Sequence, residues 1–305
     1  MKQHISIISA ACLLLCTACS SAPHADSPSL KDDLLAIADT VPGTVGIAYI
    51  SDTDTITVNN NIHYPMMSVY KLHQALAVAA TLDRKGTTLD SLLTVSSDEL
   101  DRNTWSPALN KYTSGDFHIS VGELMASSVT MSDNNASNLM FEHILSPRAT
   151  HDFIKSIVSD TTFQIRYSEA EMKVNPTLSY LNYTSPLSAG LLIRQVFEEA
   201  LVDTEKQDSI RHYLSVVTTG QDRLGAAMHG SDIAVFAHKT GSGYRNAIGE
   251  LMAHNDIGYF RLTDGRSYSL AVFVRDFRGS EAEASAVIAD ISRCVYEHIK
   301  SGTVR

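Results

Sequence analysis

Basic charge is scarce in this chain: 24 Lys and Arg stand against 34 Asp and Glu, a formal net charge of −10 over 305 residues. An acidic surface repels phosphate backbones and no Lys/Arg cluster offsets it, so nucleic-acid binding is not expected. Gly and Pro number only 16 and 8, too few for a fibrous chain. A disordered chain is excluded from the other side, because 44% of the residues are apolar, enough for one large domain or two closely packed ones. Cysteine is nearly absent from the body of the sequence: three of the four, Cys12, Cys16 and Cys19, fall in the first twenty residues and Cys294 stands alone, so no internal disulfide is expected. The twelve His show no His-x-His or His-Glu-x-x-His spacing, so neither a metal nor another cofactor is implied. Gly241-Ser242-Gly243 is not a dinucleotide fingerprint, since Asn246 takes the place of the third Gly and no βαβ unit follows.

What the N-terminus does have is a charged start, Met1-Lys2, followed by the apolar run Ile5–Cys19, too short to span a bilayer as a mature helix. This reads as an export signal over residues 1–18. Thr17-Ala18-Cys19 resembles a lipoprotein cleavage box, with Cys16 where Leu is usual. Lipidation at Cys19 would tether the chain to a membrane without a transmembrane helix. The alternative is ordinary cleavage near Ala22 or Ala25, releasing a soluble periplasmic protein. Residues 19–28 form a polar tether.

Beyond the tether, Leu30–Ala38 reads as a short helix and Thr44–Ile50 and Thr55–Val58 as strands joined at Ser51-Asp52-Thr53-Asp54. From Ser68 to about residue 225 the spacing is helical, best over Val69–Leu82, Val121–Ser128, Ala136–Ile144, Pro186–Leu201 and Ser209–Val217. Between Ile157 and Ser185 lies a long stretch with little periodicity, a length that inside a compact domain is usually functional or disordered. Strands return at Ala234–His238, Gly249–Ala253, Ile257–Leu262 and Ser267–Val274, the last two meeting at the hairpin pair Asp264-Gly265. Glu281–Ile299 closes the chain as an amphipathic helix. The order predicts an antiparallel sheet built from both ends of the chain, residues 29–67 and 218–305, with a helical region, 68–217, inserted between them.

Three short motifs carry chemistry. Ser68-Val69-Tyr70-Lys71 opens a predicted helix, so Ser68 and Lys71 lie on one face, and Lys71 is the only Lys with Ser three residues before it. A hydroxyl is a weak nucleophile until a neighbouring base takes its proton, and a nearby amine can serve once its pKa is depressed. Ser132-Asp133-Asn134 lies between two predicted helices, and Lys239-Thr240-Gly241-Ser242-Gly243 ends a strand. Singly, each has a plain reading: a helix cap with a solvated Lys, an N-cap, a Gly-rich turn. Together they do not, because at average residue usage a given tripeptide occurs in roughly one chain in thirty of this length, and both in this order in about one in a thousand.

The three motifs resemble the active-site signature of the class A serine β-lactamases and the related penicillin-binding proteins. The resemblance runs from about Leu30 to Ile299 and includes Thr104-Trp105-Ser106-Pro107, Thr219-Gly220-Gln221-Asp222-Arg223 and Asn182-Tyr183-Thr184-Ser185-Pro186. The last of these, with Ser168-Glu169-Ala170-Glu171-Met172, is similar to the cephalosporinase branch with an enlarged Ω-loop, here about 160–185. It implies an α/β (α+β) fold, with an antiparallel five-stranded sheet flanked by helices and an inserted all-α domain. It also implies a monomer that takes a small-molecule β-lactam, with no cofactor. Position by position, Ser68 would be acylated, Lys71 would accept its proton, and Ser132 would relay a proton to the leaving nitrogen. Asn134 would bind the substrate's side-chain amide. Lys239, Thr240 and Ser242 would hold its carboxylate, with Arg223 behind them. Trp105 would wall the mouth; its plain reading is core packing.

Counting fifteen residues back from Thr184, as the family spacing suggests, gives Glu169 as the base that hydrolyses the acyl-enzyme. Glu171 competes, because Glu171-Met172-Lys173-Val174-Asn175 mimics the commoner Glu-x-x-Leu-Asn pattern. Taking Glu169 leaves two departures from the family: Lys173 where Asn usually helps to hold the water, and Asn182 where Asp usually ties the Ω-loop to an Arg. Two other functions compete with a β-lactamase. A D,D-carboxypeptidase or penicillin-binding protein would keep its acyl adduct, and a non-catalytic cell-envelope binder would not need an activated Ser.

Overall fold

A computed structural model describes residues 29–228 and 232–302. The export signal, the tether and Cys19 lie outside the described residues. Helix α1 (Leu30–Asp39) starts at Ser29, whose side chain forms a capping box with Asp32. Strands β1 (Thr44–Ser51), β2 (Thr55–Val58) and the two-residue β3 (Tyr64–Pro65) lead to a 3-10 turn, Met67–Val69, and then to helix α2 (Tyr70–Lys85). A ribbon of β4 (Leu92–Ser96) and β5 (Asp116–Ser120) precedes helices α3 (Val121–Thr130), α4 (Asn134–His143) and α5 (Pro147–Ile157). Next come β6 (Phe163–Gln164), the short helix α6 (Glu169–Val174) and β7 (Tyr183–Thr184), then helices α7 (Pro186–Glu198) and α8 (Thr204–Ser215). Strands β8 (Ile233–Ser242), β9 (Leu251–Leu262) and β10 (Ser267–Phe277) and helix α9 (Glu281–Lys300) finish the chain.

The five long strands form one antiparallel sheet in the order β2-β1-β10-β9-β8, so the two ends of the chain meet at the β1–β10 pair. Alternation of side chains divides each strand between two cores. On β10, Leu270, Val272 and Val274 face a core shared with α1 and α9, while Ala271 and Phe273 face the core of the helical region. β1 does the same with Val45, Ile47 and Tyr49 against Ala48. Burial on both faces explains why 249–253 and 257–262 read as two strands: β9 is one continuous strand whose buried centre holds the polar pair Asn255-Asp256. The inserted region is helical, as its periodicity predicts, but also carries the β4–β5 ribbon. Its centre is α2, buried at every position from Tyr70 to Leu82. Among the described residues no helix is long and apolar enough to cross a membrane.

His73 of α2 packs against Phe163, near His151. Burial pushes its pKa down to about 4 from 6.5. The native state therefore holds it neutral, and the linked stability is complete above pH 6.5, falls progressively as pH drops from 6.5 to 4, and is fully lost once pH has passed below 4. The linked loss is about 3 kcal/mol. Urea midpoints between pH 7 and 4.5 are expected to fall less steeply for His73→Gln than for the parent.

Candidate active site

The cleft, about 480 Å³, opens between the edge strand β8 and the helical region. Ser68 sits in the 3-10 turn that enters α2, and the residue before it, Met67, has φ +47°. A non-glycine residue in this left-handed region costs about 1–3 kcal/mol and persists only where its surroundings hold it. Here β9 and β8 do so. Asn255 Nδ2 donates to Pro65 O at 2.8 Å and Met66 O at 3.2 Å. Gly241 comes so near that a Cβ there would lie 2.4 Å from Met66 O. Only glycine allows β8 this approach to the turn carrying Ser68.

One turn along α2, Lys71 is fully buried. Its Nζ donates to Ser132 O at 2.8 Å and Asn134 Oδ1 at 2.6 Å, and lies 3.4 Å from Glu169 Oε1. Burial lowers its pKa; the Glu169 and Asp133 carboxylates pull in the other direction. The Ser68 hydroxyl donates to Glu169 Oε1 at 3.2 Å, so Ser68 and Lys71 meet on one carboxylate oxygen.

Ser132 joins α3 to α4 with φ +57°. Its neighbour Asp133, buried, caps α4 at Ala136 N (2.9 Å) and accepts from Ser106 Oγ and the Ala108 and Leu109 amides. The middle residue of this motif is therefore a scaffold that fixes the strained turn. On the opposite wall Lys239, buried on β8, donates to Ser132 Oγ at 3.1 Å. Burial first, and then the Lys71 charge, put its pKa well below the ordinary lysine value. Arg223 lies behind β8, donating to Ser242 Oγ at 2.6 Å and Asn255 O at 2.7 Å. The Thr240 and Thr219 hydroxyls are 2.6 Å apart. Asn134 Nδ2 donates to Thr104 Oγ1 at 2.9 Å, and the Trp105 indole donates to Met131 O at 2.9 Å while the ring remains 61% exposed at the mouth. Core packing does not describe Trp105.

Glu169 begins α6 and is buried, with only 5% of its surface exposed. Glu171 is committed elsewhere: its Oε2 accepts from Ser168 N (2.8 Å) and Oγ (3.0 Å), completing the capping box of that helix on the exposed side. The two departures from the family pattern also have positions. Asn182, buried, accepts from the Arg166 and Tyr167 amides at 2.8 and 3.0 Å and donates to Tyr167 O at 2.8 Å, so backbone bonds close the Ω-loop at this position. Asn182→Ala would strand those groups at a cost of roughly 3 kcal/mol. A melting temperature lower by about 5–10 °C is expected in calorimetry. Lys173, which lines the cleft, ion-pairs with Asp101. The motifs did not indicate Asp101, Asn103, Tyr244 or Glu281, though the last three line the cleft. Among the described residues no group of three or more His, Cys, Asp or Glu could hold a metal ion.

A hydroxyl, a buried amine and a carboxylate converging beside two further buried cations define a serine-based acyl-transfer site. The chain belongs to the β-lactamase enzyme family, whose model matches residues 29–299, and its activity is that of a class A serine β-lactamase. It is 44% identical over 277 residues to a β-lactamase of Phocaeicola vulgatus, covering 90% of this chain and 86% of that protein. Extended-spectrum β-lactamase PER-1 of Pseudomonas aeruginosa is 31% identical, with 96% and 94% covered. The crystal structure of the TLA-3 extended-spectrum β-lactamase superposes with a TM-score of 0.84 at 32% identity, over 88% of this chain and 98% of that one. These relatives do not favour the carboxypeptidase alternative.

Proposed function

We propose that Ser68 Oγ attacks the β-lactam carbonyl, forming an ester as the ring C–N bond breaks. The proton of Ser68 passes to Lys71, whose amine burial has made less basic, and Ser132 relays a proton to the departing nitrogen. Lys239, Thr240 and Ser242, with Arg223 behind, hold the substrate carboxylate. The amides of Ser68 and Ser242 receive the oxyanion, and such donors contribute about 10²- to 10³-fold each. Asn134 binds the side-chain amide and Trp105 walls the mouth. Glu169 then takes a proton from water, which cleaves the ester and regenerates Ser68. The observation that carries this reading is the shared oxygen: Glu169 Oε1 lies 3.2 Å from Ser68 Oγ and 3.4 Å from Lys71 Nζ.

The branch resemblance favours cephalosporins as substrates. The leader supports an exported, periplasmic enzyme, lipid-tethered at Cys19, and the family resemblance implies a monomer. Mixing the purified chain from residue 26 onward with a chromogenic cephalosporin tests the reaction. Sustained turnover with only a transient acyl adduct by intact-mass spectrometry is expected. An adduct that stalls on the parent would contradict it. Release of the processed chain, expressed with its leader, from membranes only by detergent, with a diacyl mass on an N-terminal Cys19, is the expected mark of the tether.

A further inference from the structure

Glu169 and Lys173 are four residues apart on α6, which puts both on one face, and both line the cleft. An ammonium in that position has two carboxylates within reach. It is paired with Asp101, which lies two residues before the cleft-lining Asn103 and 72 residues away in sequence, rather than with Glu169. Asp101 is fixed for the purpose: its amide donates to Asn135 Oδ1 at 3.0 Å, Asn135 Nδ2 donates back to Asp101 O at 3.1 Å, and the Asn103 amide donates to Asp101 Oδ1 at 2.8 Å. Asn135 is the neighbour of Asn134, so the same turn of α4 serves the substrate-binding wall and the anchor.

We propose that Asp101 is a positioning residue that draws the Lys173 ammonium away from Glu169, leaving that carboxylate free to act as a base. This rests on the assignment of Glu169 as the deacylating base. Among the described residues facing Glu169, only Lys173 is both cationic and held by an exchangeable partner that is about one-third exposed. Lys71 from α2 is locked by Ser132 and Asn134, and Lys239 from β8 by Ser132 and Thr240 O. Tyr70 bonds Ser137, and Tyr244, with its phenol pushed up to about 12 by burial and by the Glu169 and Asp101 charges, stays neutral. Asp133 is saturated by its four donors. On α6 itself Glu171 is in the capping box. Of the elements packed on α6, α4 presents Asn138 to Ala170 N and carries Glu142 and His143 at its far end, and the 3-10 segment Pro176–Leu181 carries Tyr180, bonded to Asp276.

Freeing the ammonium is expected to weaken the base. In Asp101→Asn, which keeps the shape and the Asn103 contact, the Lys173 charge can swing to Glu169. Deacylation should slow roughly tenfold. Acylation is untouched, so KM falls with kcat and kcat/KM holds. Asp101→Ser gives the same reading through a smaller side chain. The decisive variant is the double one: adding Lys173→Met to Asp101→Asn removes the freed cation, and should restore deacylation to within about twofold of the parent. A double variant as slow as Asp101→Asn would make the bridge a mechanical tie and overturn the proposal, as would Asp101→Asn deacylating like the parent. Glu169→Gln, run alongside, separates the two readings. If it deacylates normally, the base assignment has failed; if it stalls while Asp101→Asn does not slow, only the present inference has.

Discussion

In the Glu169→Gln variant the acyl-enzyme is expected to persist, its hydrolysis slowed about 10²- to 10⁴-fold. Gln keeps the size of the side chain and can still accept from Ser68 Oγ, but its amide cannot take a proton from water. Acylation should survive, because Lys71 and the oxyanion donors remain. The variant therefore gives a burst of one equivalent of opened β-lactam and then near silence, with the mass of the substrate added to the protein. Glu171→Gln separates the competing carboxylate. Its carboxylate accepts from the Ser168 amide and hydroxyl, so the substitution weakens a helix cap, worth about 1 kcal/mol. Turnover close to the parent is expected.

Lys71→Met is the second large effect, and it falls on the other half of the cycle. Met fills a similar volume in a site with no exposed surface, so packing is kept while the amine is lost. Ser132 O, Asn134 Oδ1 and the Glu169 carboxylate lose their shared donor, and Ser68 loses the base proposed for it. Acylation should slow by about 10²- to 10⁴-fold. Measured in the Glu169→Gln background, single-turnover acylation is the only step seen. The pH dependence carries a sign. An amine accepts a proton only when neutral, and burial has lowered the Lys71 pKa, so acylation should climb with pH through that depressed value. Lys71→Met should erase the climb along with the rate.

The parts of this molecule that were legible in its sequence are those in which a few adjacent residues carry the whole chemical requirement. Ser68 and Lys71 share a helical face three residues apart, and Ser132-Asp133-Asn134 caps a helix while presenting its outer residues to the cleft. The spacing to Thr184 nominates Glu169 over Glu171, and in the structure Glu171 is taken up by the capping box at Ser168. The Asp264-Gly265 turn is where the hairpin pair placed it, with Gly265 at φ +94°. What stayed hidden has a common cause, since it depends on partners distant in sequence or on faces with little contrast. Strand β9, buried on both sides, has no alternation to read, and Asn255-Asp256 at its centre resembles a turn until the bonds of Asn255 to Pro65 and Met66 are known. Asn182 looked like the loss of a salt bridge, but the bonds it makes are to backbone, which no side-chain pattern records. The pairing of Asp101 with Lys173 spans 72 residues and no local spacing foretells it.

The most direct measurement is the location of the trapped acyl group. Glu169→Gln, mixed with a cephalosporin, quenched in acid and digested with trypsin, yields a fragment of residues 32–71 that contains Ser68 and ends at Lys71. The account predicts that this fragment alone gains the mass of the opened β-lactam, and that fragmentation places the addition on Ser68. An adduct on any other residue, or a Glu169→Gln protein that turns over without accumulating one, would contradict it.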